Sequence, residues 1–78
     1  MGVIREHSRV VLLTALPDEG LAAGDIGTVV HGYRDGRAYE VEFVTLTGET
    51  VCVVTLEVGQ IRPVHQRELA SARELLAA

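Results

Sequence analysis

The sequence predicts a mainly β protein, a small barrel of five strands with a C-terminal α-helix. Three observations carry that reading. Residues 26–56 hold two glycine turns, Asp35-Gly36 and Thr47-Gly48, between runs rich in β-branched and aromatic residues, which is the pattern of a three-strand meander. Within it, residues 38–44 alternate: Tyr39, Val41 and Phe43 are apolar while Glu40 and Glu42 are charged, so the odd positions face inward. Residues 65–78 are strong helix formers, with Leu69, Ala72 and Leu76 spaced three and four apart on one face.

In chain order, residues 1–7 give no readable element. Arg9-Val-Val-Leu-Leu-Thr14 reads as the first strand, apolar on both faces, and such a strand needs a cover on each side. Residues 15–25 contain Pro17, Gly20 and Gly24, which exclude a regular element and predict a long turned connection pinned to the core by Leu16 and Leu21. Its acids Asp18, Glu19 and Asp25 fit no calcium-loop spacing and read as solvated turn residues.

Register follows from the alternation, because a one-residue slip turns every side chain to the opposite face. A three-residue loop Arg34-Asp35-Gly36, with Gly36 left-handed, sets Val29 opposite Val41 and His31 opposite Tyr39. A two-residue turn at Thr47-Gly48 pairs Phe43 with Cys52, Val41 with Val54 and Tyr39 with Leu56, and leaves Val44, Val51 and Val53 outside. Glu57-Val-Gly-Gln60 reads as one short helical turn before the last strand, Ile61-Arg-Pro-Val64, which Pro63 restricts to an edge. The helix that follows lacks a good N-cap.

Seventy-eight residues make one domain, read as a barrel over 8–64 followed by helix 65–78. A chain this short buries only about 60–65% of its unfolded surface. The single cysteine excludes an intrachain disulfide, and no zinc-ligand cluster is present, so apolar packing or partner subunits must hold the fold. Cys52 reads as a small apolar residue rather than a catalytic thiol, which would want an exposed, electropositive setting. The formal charge is −4, with no lysine and seven dispersed arginines, a poor match to the clustered positive charge that phosphate binding needs. No apolar run reaches the roughly 18–20 residues that span a bilayer, and no signal peptide opens the sequence, so the expected location is cytoplasmic.

The phrase Ala23-Gly-Asp-Ile-Gly-Thr-Val-Val30 resembles the opening of KOW-type and other SH3-like barrels. A longer set of segments is similar to a bacterial family known as domain of unknown function 4926. The segments are Arg9-Val-Val-Leu-Leu, Leu16-Pro, Gly24-Asp-Ile-Gly-Thr-Val-Val, Tyr39-Glu-Val-Glu-Phe-Val, Gly48-Glu-Thr, Val54-Thr-Leu and Ile61-Arg-Pro. The resemblance spans about residues 8–64 and implies a five-stranded SH3-like barrel without a defined activity. Helix 65–78 lies beyond it.

No nucleophile elbow, phosphate-cradling glycine loop, metalloprotease helix or cysteine–histidine signature occurs, so no enzyme, cofactor or metal site is expected. The leading expectation is a non-catalytic module that contacts another protein or a second copy of itself. It would use the outer valines Val44, Val51 and Val53, together with Leu69 and Leu76 of the helix stripe. A second expectation, from a different class, is nucleic-acid or small-ligand contact at the barrel mouth through His31, Tyr33, Arg34, Arg37 and Tyr39, against which the net charge and the scarcity of aromatics count.

Overall fold

A computed structural model describes residues 4–75. Five strands, β1 (Arg9–Leu12), β2 (Ile26–Gly32), β3 (Ala38–Val44), β4 (Thr50–Glu57) and β5 (Ile61–Pro63), form one sheet in the order β4-β3-β2-β1-β5. Every pairing is antiparallel. All five strands contribute to one buried cluster, Val10, Leu12, Val29, Tyr39, Val41, Phe43, Leu56 and Ile61, with Leu21 from the β1–β2 connection. For Leu56 of one edge strand and Ile61 of the other to share a core, the sheet must curl on itself, which is consistent with the SH3-like barrel that the resemblance implies.

The two hairpins reach the expected pairings by an unexpected route. Val29 faces Val41, Phe43 faces Cys52, Val41 faces Val54 and Tyr39 faces Leu56, as the alternation requires. Each loop, however, is one residue longer than its turn signal suggests. The Tyr33 N–H donates to the Ala38 carbonyl at 3.0 Å, leaving a four-residue loop over 34–37, and the ladder recovers its register by a bulge between Val29 and His31. In the second hairpin the Thr45 N–H donates to the Glu49 carbonyl at 2.8 Å, leaving a three-residue loop that ends at Gly48 with φ +93°. A bulge between Val44 and Phe43, at Val51 on the facing strand, restores the register. Each bulge corrects one expectation. His31 faces Glu40 instead of Tyr39 and stands outside, while Val51 is turned in and packs partly buried against the core.

The β1–β2 connection is turned as expected, with a single 3-10 turn (Pro17–Glu19) and a bridge between Leu16 and Leu21 that folds Leu21 into the core. A second 3-10 turn (Val58–Gln60) precedes β5, where the Glu57 N–H donates to Gln60 Oε1 at 2.8 Å. β5 is an edge strand, as Pro63 requires.

The expected C-terminal α-helix is overturned. No α-helix occurs among the described residues, and 65–75 run as irregular chain. The reasons are local. Arg67 adopts φ +66°, which no right-handed helix tolerates. Glu68 reaches back to accept both guanidinium nitrogens of Arg62, at 2.9 and 2.7 Å, and the His65 N–H at 2.5 Å, so the first turn is committed to β5. A segment of about a dozen residues is a marginal helix without a docked face, and this one has none: Leu69 is 93% exposed. Farther on, the Arg73 guanidinium grips the Asp25 carboxylate, with Nε 2.9 Å from Oδ1, and donates to the Gly20 carbonyl at 3.1 Å. The tail thus lies across the outer side of the sheet. Together with Arg9, Ile26 and Arg62 it flanks Val11, which is buried outside the core cluster. The second cover that the two-faced first strand demands is this strap of irregular chain.

Candidate protein-binding surface

Side chains outside the meander belong to two neighbourhoods, one polar and one apolar. The polar one surrounds Glu40 on β3. Its Oε2 accepts the Tyr33 hydroxyl at 2.5 Å and the Thr55 hydroxyl at 2.6 Å, reaching the loop that follows β2 on one side and β4 on the other. The Thr55 and Tyr33 hydrogen bonds hold the Glu40 carboxyl below its ordinary range, and the same contact with Glu40 pushes the Tyr33 hydroxyl up. Glu42 accepts the Thr50 hydroxyl at 2.8 Å. His31 lies edge-on to Tyr33, ring centres 5.0 Å apart, with Nδ1 3.6 Å from Glu6.

The residues expected at a ligand mouth are therefore split. His31 and Tyr33 come together outside, Arg34 and Arg37 stand exposed in the adjoining loop, and Tyr39 is buried on the opposite face of the sheet. The His31–Tyr39 pair does not exist. What surrounds His31 and Tyr33 is carboxylate, from Glu6 and Glu40. Among the described residues no group of three His, Cys, Asp or Glu side chains is arranged to hold a metal ion.

The apolar neighbourhood follows the second hairpin. Val44 is 47% exposed and Val53 50%, both outside as expected, and Leu46 at the hairpin tip is 88% exposed. Leu46 was not legible as part of this row because an isolated leucine between two threonines has no periodicity to place it. Leu69 is exposed but belongs to the strap, away from this hairpin, and Leu76 lies outside the described residues.

Beside Val53 runs an edge. β4 is eight residues long and pairs only with β3 among the described residues. Arg37 accepts the Val58 N–H, so odd residues of β3 bond to even residues of β4, and antiparallel alternation turns the peptide groups of Val53 and Thr55 to the open side. A groove of about 390 Å³ lies along this side, between Val54, Thr55 and Leu56 of β4 and the loop residues Leu16, Pro17, Asp18 and Glu19. Cys52 is partly buried nearby. Burial, and secondarily the charge of Glu19, push its thiol up, which is the opposite of what a nucleophile needs.

An all-antiparallel sheet of five short strands around one core defines the class as a small β-barrel module. The chain belongs to the family described as Domain of unknown function (DUF4926), whose model matches residues 6–63, nearly the span that the sequence resemblance gave. No curated protein and no solved structure matches it. Among the described residues no helix is long and apolar enough to cross a membrane.

Proposed function

We propose that the chain is a non-catalytic binding module that acts by protein–protein contact through the second hairpin, with another protein or a second copy of itself as partner. One observation supports the reading above others: Val53 stands half exposed on a sheet edge whose peptide groups are unpaired among the described residues, and Val44 and Leu46 are exposed on the same hairpin. Exposed apolar side chains are ordinary when scattered singly, but an open strand that carries one is a recognised liability that proteins otherwise blunt. The Cys52 thiol, pushed up by burial and so the opposite of an activated nucleophile, favours binding over catalysis on this side, and a single cysteine with no partner for an intrachain disulfide fits a cytoplasmic setting.

The test is the mass of the purified chain by light scattering over a range of concentrations, in parallel with capture of partners from the native host, each repeated with Val53→Asp. The expected result is a homo-oligomer, or a stoichiometric companion, that the substitution removes. A monomer with no companion overturns the proposal. Nucleic-acid binding at His31, Tyr33, Arg34 and Arg37 is the competing reading. The carboxylates of Glu6 and Glu40 within that cluster weigh against it, and retention of RNA or single-stranded DNA on a filter at low salt would favour it.

A further inference from the structure

Resting on that reading of the second hairpin, we propose that the partner contributes an extended basic segment, which adds to β4 as a sixth strand. The two edges of the sheet are treated differently. β5 has three residues and ends in Pro63, two of the devices by which proteins prevent unwanted pairing. β4 has eight, Thr-Val-Cys-Val-Val-Thr-Leu-Glu, with no proline and no lysine, a run of residues that suits a strand and offers the open N–H and C=O groups of Val53 and Thr55. A strand laid there gains main-chain hydrogen bonds, and its alternate side chains need somewhere to go. The groove supplies that place: its wall is apolar at Leu16, Val54 and Leu56, and its rim is Asp18 and Glu19.

Charge decides what kind of strand it is. Neither Asp18 nor Glu19 has an ion-pair or side-chain hydrogen-bond partner among the described residues. Glu57 ends the strand and Glu49 precedes it, and Arg37 stands exposed in the loop that bonds to Val58. A second copy is poorly matched to this edge: antiparallel self-pairing gathers the Glu57, Asp18 and Glu19 carboxylates of both chains along one seam with no lysine to offset them, and like charges brought together are destabilising. A segment that alternates β-branched residues with arginine or lysine places the former against the apolar wall and the latter on the outer face that Val53, Thr55 and Glu57 share, while Asp18 and Glu19 at the rim of the groove add a screened attraction for the basic chain.

The experiment uses the full chain, isotopically labelled, and three seven-residue peptides. One alternates valine and arginine, the second has glutamate for every arginine, and the third is the first with a central proline. The arginine peptide should bind and slow hydrogen exchange at the Val53 and Thr55 amides by at least about tenfold, with Asp18→Asn and Glu19→Gln each weakening it about twofold to fivefold. The proline peptide keeps the charge and loses the strand, so it should bind far more weakly. Equal binding of the arginine and glutamate peptides, equal binding of the proline peptide, or binding that leaves both amides unprotected overturns the proposal, as does no binding at all. If the peptides fail while Val53→Asp still dissolves a homo-oligomer or a native complex, the basic-strand partner is refuted and the binding module stands. If both fail, the module falls with it.

Discussion

Gly27, within the Gly-Asp-Ile-Gly-Thr-Val-Val segment, carries a prediction whose size follows from the packing above it. A Cβ built there would lie 2.5 Å from Val41 Cγ1, 2.9 Å from Phe43 Cε1 and 3.0 Å from Phe43 Cζ. Both neighbours are core residues with no free space behind them, Val41 fully buried and Phe43 nearly so. The glycine is therefore demanded by space and not by its backbone, which lies outside the left-handed region. Overpacking a dense core costs about 1–3 kcal/mol, and the entropy that alanine removes from the unfolded chain returns about 0.4–1 kcal/mol. The difference spans about 0–2.6 kcal/mol, and contacts of 2.5–3.0 Å on two buried side chains put Gly27→Ala in its upper part, about 1–2.6 kcal/mol, which for a domain of this size lowers the melting temperature by about 4–21 °C. Gly59→Ala is the control, since nothing lies within 4 Å of its Cβ and its backbone is ordinary, so it should stay within about 0.5 kcal/mol of the parent. Val41→Ala removes the closest clash, so the double variant Gly27→Ala, Val41→Ala should lose less than the sum of the two single changes. Thermal unfolding followed by circular dichroism reads all four proteins. A Gly27→Ala protein that melts within about 1 °C of the parent would refute the reasoning, because it would mean that β2 and β3 lie farther apart than the Phe43 contact requires.

Further predictions follow from the strap and the thiol. Arg73→Ala should release residues 69–75, beyond the Glu68 anchor, while costing the fold about 1 kcal/mol, since its ion pair with Asp25 is only partly exposed, 41% at Arg73 and 18% at Asp25; limited proteolysis should show faster cleavage in the tail with an unchanged barrel. The Arg62 guanidinium and the His65 N–H hold the Glu68 carboxyl down to about 2, against an ordinary 4.5. A carboxyl depressed in the folded state stabilises above its unfolded value and loses that effect as pH falls, so the strap should detach progressively from about pH 4.5 towards 2, read as rising hydrogen exchange in 65–75. Asp25, depressed chiefly by Arg73, should add to the same transition. Cys52 should react with a thiol reagent at pH 7 more slowly in the folded protein than in the same protein unfolded in urea, because burial disfavours the thiolate. Gly48→Ala has open space around it but φ +93°, so it should destabilise through the backbone alone, and chemical denaturation should place its midpoint below that of Gly59→Ala.

The inward face of the barrel was legible because two signals agreed there. Alternation in residues 38–44 marks Tyr39, Val41 and Phe43 as core, and pairing each with a β-branched or apolar residue fixes Val29, Cys52, Val54 and Leu56. That constraint concerns the ladder interior and is indifferent to how the loop closes, so it survived two loops that were each misjudged by one residue. The outer positions next to the bulges had no such protection. His31 and Val51 sit where the extra residue is absorbed, and both were assigned to the wrong face. The tail failed for a different reason. Helix propensity in 65–78 is real but small per residue, whereas the bonds that override it join Glu68 to Arg62 on β5 and Arg73 to Asp25, 48 residues away. No periodicity encodes a contact of that range.

The strap also bears on why β4 stands open. The two-faced β1 and the exposed β4 edge compete for the segment that follows β5. The tail leaves β5 at the edge opposite β4 and is steered at once onto β1 by Glu68 and Arg62, then held there by Arg73 and Asp25. A helix docked on the outer valines would have closed the second hairpin and left Val11 exposed. The observed arrangement does the reverse: Val11 is buried, and Val44 and Val53 remain half exposed beside unpaired peptide groups. If this allocation is what leaves the second hairpin free to bind, truncation after Val64 should expose Val11 and lower stability, yet leave peptide or partner binding at β4 unchanged. Calorimetry of the truncated chain, with and without the valine–arginine peptide, separates the two effects, and loss of binding on truncation would show that the strap is part of the binding surface.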